Sequence, residues 1–187
     1  LEGRIQGHSD SPLTPLGIRQ ARALAERFAA DRPAFLYASD LPRARRTAEI
    51  IGKRIGLDVR PDVRLREQNW GDLEGMTFQE IPQKFVEAHR LRVEPDYVIP
   101  SGESLRQVQE RAIACLDDLV HRHQGGRIAV VAHGGLLNTV FRYVVGLELG
   151  LPRRFTLYNA SVSAVFHNGG HWTLGTWSDV HHLRGID

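Results

Sequence analysis

Three side chains are set where they could do chemistry together: His133, Arg43 and Glu67. His133 follows an apolar run, Arg127-Ile-Ala-Val-Val-Ala132, and precedes Gly134-Gly135 and an apolar helical stretch. A continuous apolar run of strand length reads as a strand covered on both faces, the middle of an α/β sheet. The C-terminal end of such a strand is where α/β sheets bind ligands. Two glycines opening the next helix leave its first N–H groups accessible, and the helix dipole favours an anion there. A histidine in that place can bind phosphate or take part in its transfer. The plainer alternative is a histidine satisfied by hydrogen bonds within the strand–helix turn. Arg43 ends the segment Ser39-Asp-Leu-Pro-Arg43, on the expected first turn of a helix after a second buried strand, and can point back over that strand's end. Its planar fork suits two oxygens of one phosphate or carboxylate. Glu67 heads a loop with Gly71 and Gly75, whose tight turns could hold a carboxylate in a cleft; taken alone, a surface ion pair is the alternative. Together they suit phosphoryl transfer, which needs charge stabilisation and an acid for the leaving oxygen.

Other chemistries find less support. There is no glycine-lysine phosphate loop of the Walker type. His121 and His123 fall near a helix C-terminus, His167 and His171 flank a turn, and His181-His182 lie in the tail. No ligand set has metal-site spacing, so neither metal nor cofactor is expected. Cys115, the only cysteine, cannot form an internal disulfide, is compatible with a reducing cytoplasm and reads as packing within a helix. A net charge of +2 over 187 residues does not argue for nucleic acid. No apolar run approaches the roughly 18 residues of a membrane span, and no signal-peptide pattern is present. A single cytoplasmic domain is the expectation.

The elements that must position these residues follow from caps and periodicity. Thr14-Pro15 starts a helix to Ala30, which Asp31-Arg32-Pro33 stops. Ala34–Ala38 reads as a buried strand, Pro42–Arg54 as a helix closed by Gly56, and Asp58–Leu65 as a weaker strand region. A short helix is expected over Phe78–His89, within a segment, 76–100, that reads as a cap over a cleft and not a separate domain. Ser101-Gly-Glu-Ser104 opens a long amphipathic helix with Leu105, Val108, Ala112, Leu116 and Leu119 on one face. After the strand ending at Ala132, a helix runs to Val145. Ser161–His167 and Trp172–Trp177 form a hairpin about Asn168-Gly-Gly170. This order predicts an α/β sandwich with a mostly parallel central sheet.

Four segments, in order, resemble the histidine phosphatase superfamily, the phosphoglycerate mutase-like fold. They are Gly3-Arg-Ile-Gln-Gly7 with Ser11-Pro-Leu-Thr14, Ser39-Asp-Leu-Pro-Arg-Ala-Arg-Arg-Thr-Ala48, Leu65-Arg-Glu-Gln-Asn-Trp-Gly-Asp-Leu-Glu-Gly75, and Val130-Val-Ala-His-Gly-Gly135. Pro100-Ser-Gly-Glu-Ser104 is a softer fifth. The resemblance implies a three-layer α/β/α domain acting on a small phosphorylated metabolite without metal or cofactor, and is compatible with a homodimer. It implies that Arg43 and His133 clamp the phosphoryl oxygens, with Gln6 and Gly134 beside them. Glu67 would protonate the leaving group and then activate water. In the family the attacking histidine belongs to an Arg-His-Gly segment, expected here on a central first strand upstream of Leu1. His8 is no substitute, since it lies in the loop after that segment, where an exposed or substrate-facing side chain is expected. The chain as written is thus expected to be truncated and inactive. The implied activity is that of a phosphomonoester hydrolase using a phosphohistidine intermediate. Gly71-Asp-Leu-Glu-Gly75 resembles the phosphatase branch. A cofactor-dependent phosphoglycerate mutase and a catalytically dead phospholigand-binding protein are the alternatives.

Overall fold

The computed structural model describes residues 3–9 and 11–186, and Arg92 by its backbone alone. Helix α1 spans Pro15–Ala30, with the Thr14 hydroxyl accepting from the N–H of Gly17 and Pro15 pre-set for the first turn. Strand β1, Phe35–Ala38, leads into α2, Pro42–Ile55, which closes on Gly56 in the left-handed conformation. Strand β2, Val59–Pro61, is shorter than the 58–65 region the sequence suggests. Pro61 has no N–H to continue a ladder, and Asp62 next to it caps a 3-10 turn at Val63–Leu65 by accepting from the N–H of Arg64.

The helix expected over 78–89 is not formed as one piece. A single turn, α3, occupies Ile81–Lys84 and another, α4, Arg90–Val93. Pro82 cannot donate to the carbonyl of residue 78, which prevents a helix running through it. Ile81 instead joins Ile5, Leu73 and Ile99 in a small buried cluster, with Trp70, Met76 and Phe85 against it. Helix α5, Leu105–Arg122, is followed by β3, Ile128–Val131, α6, Gly134–Val144, and the strands β4, Val162–Asn168, and β5, His171–Asp179.

The parallel strands lie in the order β2-β1-β3, with Leu36 opposite both Val59 and Ala129. Side chains alternate across this sheet. Leu36 and Ala129 pack with Leu24, Ala25, Ile51 and Ile55 of α1 and α2. Tyr37, with Ile128 and Val130 beside it, packs with Cys115 and Leu119 of α5. The result is a three-layer α/β/α sandwich. Leu36 and Ile51 are almost wholly buried, and each side chain so covered contributes about 1.5–3 kcal/mol. The central sheet is parallel, as expected, and the expected hairpin of β4 and β5 forms an antiparallel ribbon of its own. Among the described residues no strand pairs with the edge of β3 that faces away from β1.

Candidate active site

His133 is the last residue before α6 and ends the chain's passage out of β3. Its backbone is extended and its side chain does not cap the helix. The carboxylate of Glu67 does so instead. Glu67 Oε2 accepts from the N–H of Gly135 at 2.9 Å, and Oε1 accepts from those of Leu136 at 3.0 Å and Gln68 at 2.9 Å. The anion position read from the two glycines therefore exists, but Glu67 itself occupies part of it. Gly135 permits this approach, because a Cβ there would collide with Glu67 Oε1. No hydrogen bond within the protein is recorded for the N–H of Gly134 among the described residues, and the space above its Cα is open.

His133 is buried, with 7% exposure. Its Nε2 lies 2.8 Å from Ser39 Oγ, at the end of β1. That hydroxyl also accepts from the N–H of Leu41, which leaves its own proton available to the imidazole. Burial drives the His133 pKa down to about 3, and the positive charges of Arg43, His8 and Arg111 act in the same direction. The imidazole is therefore neutral in this structure at pH 7.

Arg43 lies on the first turn of α2, as its position after β1 requires. Its Nη2 donates to the carbonyl of Gly7 at 2.7 Å and Nη1 to that of Ser9 at 3.2 Å. The guanidinium is thus tied to the N-terminal loop and lies close enough to His133 to bear on its charge. Gln6 precedes this loop, partly buried, with its carbonyl accepting from the N–H of Ser9. Arg45 and Arg46, by contrast, pair with Glu49 in solvent.

The sequence missed what holds that loop. Glu74 Oε1 accepts from the N–H of His8 at 2.7 Å, and Oε2 accepts from the Ser9 hydroxyl at 2.5 Å. Gly7, with φ at 50°, leaves room for this carboxylate where any Cβ would clash. The Gly3-Arg-Ile-Gln-Gly7 and Gly71-to-Gly75 segments are thus one packed unit, and their co-occurrence was the available signal. His8, expected to be exposed or substrate-facing, is not fully exposed. It is half-buried, with Nε2 2.8 Å from the carbonyl of Glu67. At the mouth of the site Arg66 grips Asp40 with two hydrogen bonds, of 2.8 and 2.5 Å. That contact holds the Asp40 carboxyl below the usual aspartate range.

Residues outside this cluster have structural partners. Cys115 is fully buried and its thiol is pushed up to about 12, first by burial, which suits packing and not nucleophilic attack. His123 stacks on Phe35 and contacts the Tyr37 hydroxyl at 2.8 Å. Among the described residues no group of three or more His, Cys, Asp or Glu side chains is placed to hold a metal ion. No described helix is long and apolar enough to cross a membrane.

The site therefore gathers an arginine fork, a buried imidazole and a carboxylate at the C-terminal ends of parallel strands and the start of a helix. Known proteins share this sequence pattern and fold. The chain is 39% identical over 189 residues to the probable phosphoglycerate mutase GpmB of Cronobacter sakazakii, covering 97% of this chain and 88% of that protein. It is 37% identical over 193 residues to the metal-independent phosphoserine phosphatase of Arabidopsis thaliana, covering 98% of this chain and 78% of that one. Among solved structures, a mycobacterial glucosyl-3-phosphoglycerate phosphatase in complex with inorganic phosphate superposes with a TM-score of 0.84 at 32% identity, covering 96% and 93% of the two chains. The histidine phosphatase superfamily (branch 1) matches residues 1–180, and the chain belongs to that family.

Proposed function

We propose that the protein is a metal-independent phosphomonoester hydrolase acting through a phosphohistidine. The observation that carries this reading is the meeting of Glu67, His133 and Arg43 at one helix start and two strand ends. The phosphatases among the family relatives support it. In the first step a histidine nitrogen attacks phosphorus, an N–P bond forms, and the P–O bond to the alkoxide breaks. Glu67 gives that alkoxide a proton. In the second step water attacks phosphorus, Glu67 takes its proton, and phosphate leaves with the histidine restored. Splitting one difficult displacement in two is what a covalent nucleophile provides.

His133 is assigned to phosphate binding, together with Arg43, Gln6 and the N–H of Gly134. Its pKa is low because it is buried beside positive charges. A phosphoryl dianion arriving there offsets the cationic neighbours and moves that pKa back upward. The nucleophile is assigned to a histidine upstream of Leu1, on a strand pairing with the edge of β3 that faces away from β1. This assignment is supported by two observations: among the described residues no strand pairs with that edge, and His133 is engaged with Ser39. The substrate is a small phosphorylated metabolite, met by the 76–100 segment acting as a cap, and the setting is cytoplasmic.

A mutase reading is favoured by one observation, the name of the Cronobacter relative. The two part in a single assay of the full chain. Phosphoglycerate and phosphoserine are supplied separately, and free phosphate and isomerised product are measured together. Phosphate release without isomerisation is expected; isomerisation without release overturns the hydrolase reading. Phosphate binding with neither product favours a ligand-binding protein.

A further inference from the structure

Arg111 belongs to α5, yet three of its five guanidinium donors are spent on the segment that carries Glu67 and the other two on Glu103. Nε donates to Glu103 Oε2 at 3.0 Å, and Nη2 donates to Glu103 Oε1 at 2.7 Å. Nη1 donates to the carbonyls of Arg64 and Arg66, both at 2.7 Å, and Nη2 donates also to that of Glu67 at 3.0 Å. An arginine has five N–H donors in a fixed fork, and here each has a partner. Glu103 continues the clamp: its Oε1 accepts from the N–H of Asn69, and its backbone N–H donates to the carbonyl of Asn69. The pair is largely covered, with 21% and 16% side-chain exposure.

The segment from Arg66 to Trp70 has no helix or ladder to fix it. Three of its neighbouring carbonyls, at 64, 66 and 67, converge instead on one cation. The Glu67 carbonyl is shared with His8 Nε2, so the residue is held from both sides while its carboxylate rests on the start of α6. We infer that Arg111, oriented by Glu103, is the positioning residue that sets Glu67 beside His133 for proton transfer. It touches neither substrate nor the reacting atoms. The inference rests on the acid–base role proposed for Glu67. Lysine cannot replace it, since a point-like ammonium cannot reach three carbonyls and a carboxylate in one plane.

The test is a pair of kcat/KM measurements in the full chain, on an alkyl phosphomonoester and on p-nitrophenyl phosphate, whose good leaving group needs little protonation. Arg111→Lys is expected to lower kcat/KM for the alkyl ester roughly 10- to 100-fold, and for the aryl ester less than about threefold. In a Glu67→Gln background, Arg111→Lys is expected to add less than about twofold. Equal losses on both esters, or the same loss in both backgrounds, overturn the inference and leave a structural role. If Arg111→Lys does not fold, Glu103→Gln carries the test; it is expected to show a smaller loss with the same dependence on leaving group, and a loss blind to leaving group overturns the inference. Failure of the underlying reading looks different: Glu67→Gln alone would then turn over the alkyl ester at the wild-type rate.

Discussion

The sharpest consequence at the residue scale concerns His133. Its folded-state pKa of about 3 lies below its ordinary value of 6.5 because the ring is buried beside cationic neighbours. The unfolded chain therefore binds a proton that the folded chain refuses. The sign follows: this group's contribution is complete above about pH 6.5, declines as pH falls, and is lost by about pH 3. The decline has a limiting slope of about 1.4 kcal/mol per pH unit. Urea unfolding between pH 7 and pH 5 is expected to show stability falling with acidity, and His133→Asn is expected to flatten that fall. An unchanged slope in the variant would contradict neutral burial. Asp40 acts at lower pH, since Arg66 holds its carboxyl below the aspartate range. The positions of His133, Arg43 and Glu67 were legible in the sequence because each follows a strand or opens a loop with glycines. Their partners were not. Nothing local announces that Ser39 Oγ meets His133 Nε2, or that Glu74 holds the backbone of His8, since both contacts join residues far apart in the chain.

Helices were legible where caps and periodicity agree, and α5 is the clearest case. The Ser104 hydroxyl accepts from the N–H of Gln107 at 3.2 Å, while Gln107 Oε1 accepts from the N–H of Ser104 at 2.9 Å. This reciprocal box satisfies two donors at the start of the helix that carries Arg111 and buries Cys115 and Leu119. Ser104→Ala is expected to cost about 1 kcal/mol, read as a lower denaturant midpoint at unchanged m-value. No shift would show that the cap contributes nothing. The elements read less well from sequence are those whose local signals conflict. Around residues 78–89 aromatic and aliphatic residues suggest a helix, but Pro82 breaks the ladder and a cluster around Ile81 and Ile99 takes over. In β2 the apolar alternation continues to Leu65, but pairing with β1 ends at Pro61 and the cap by Asp62 turns the chain aside. Tertiary packing overrides propensity in both places.

For the molecule as a whole, alternating helices and strands were enough to predict an α/β sandwich, because β1 and β3 are covered on both faces. The β4–β5 hairpin was legible from its turn, but its division from a parallel sheet ordered β2-β1-β3 was not, since strand order is a long-range property without a local signature. That division bears directly on function. Among the described residues no strand pairs with the edge of β3 beside His133, where we place the strand bearing the nucleophile, while Arg43, His133 and Glu67 stand on the residues described. The most direct test of this central claim is a rapid-quench experiment on the full chain with a phosphomonoester labelled at phosphorus. Acid-labile, alkali-stable label is expected on one histidine of the strand proposed to pair with β3, formed and discharged at rates that support turnover. Label on His133 itself, or turnover with no labelled histidine at any time, would contradict it.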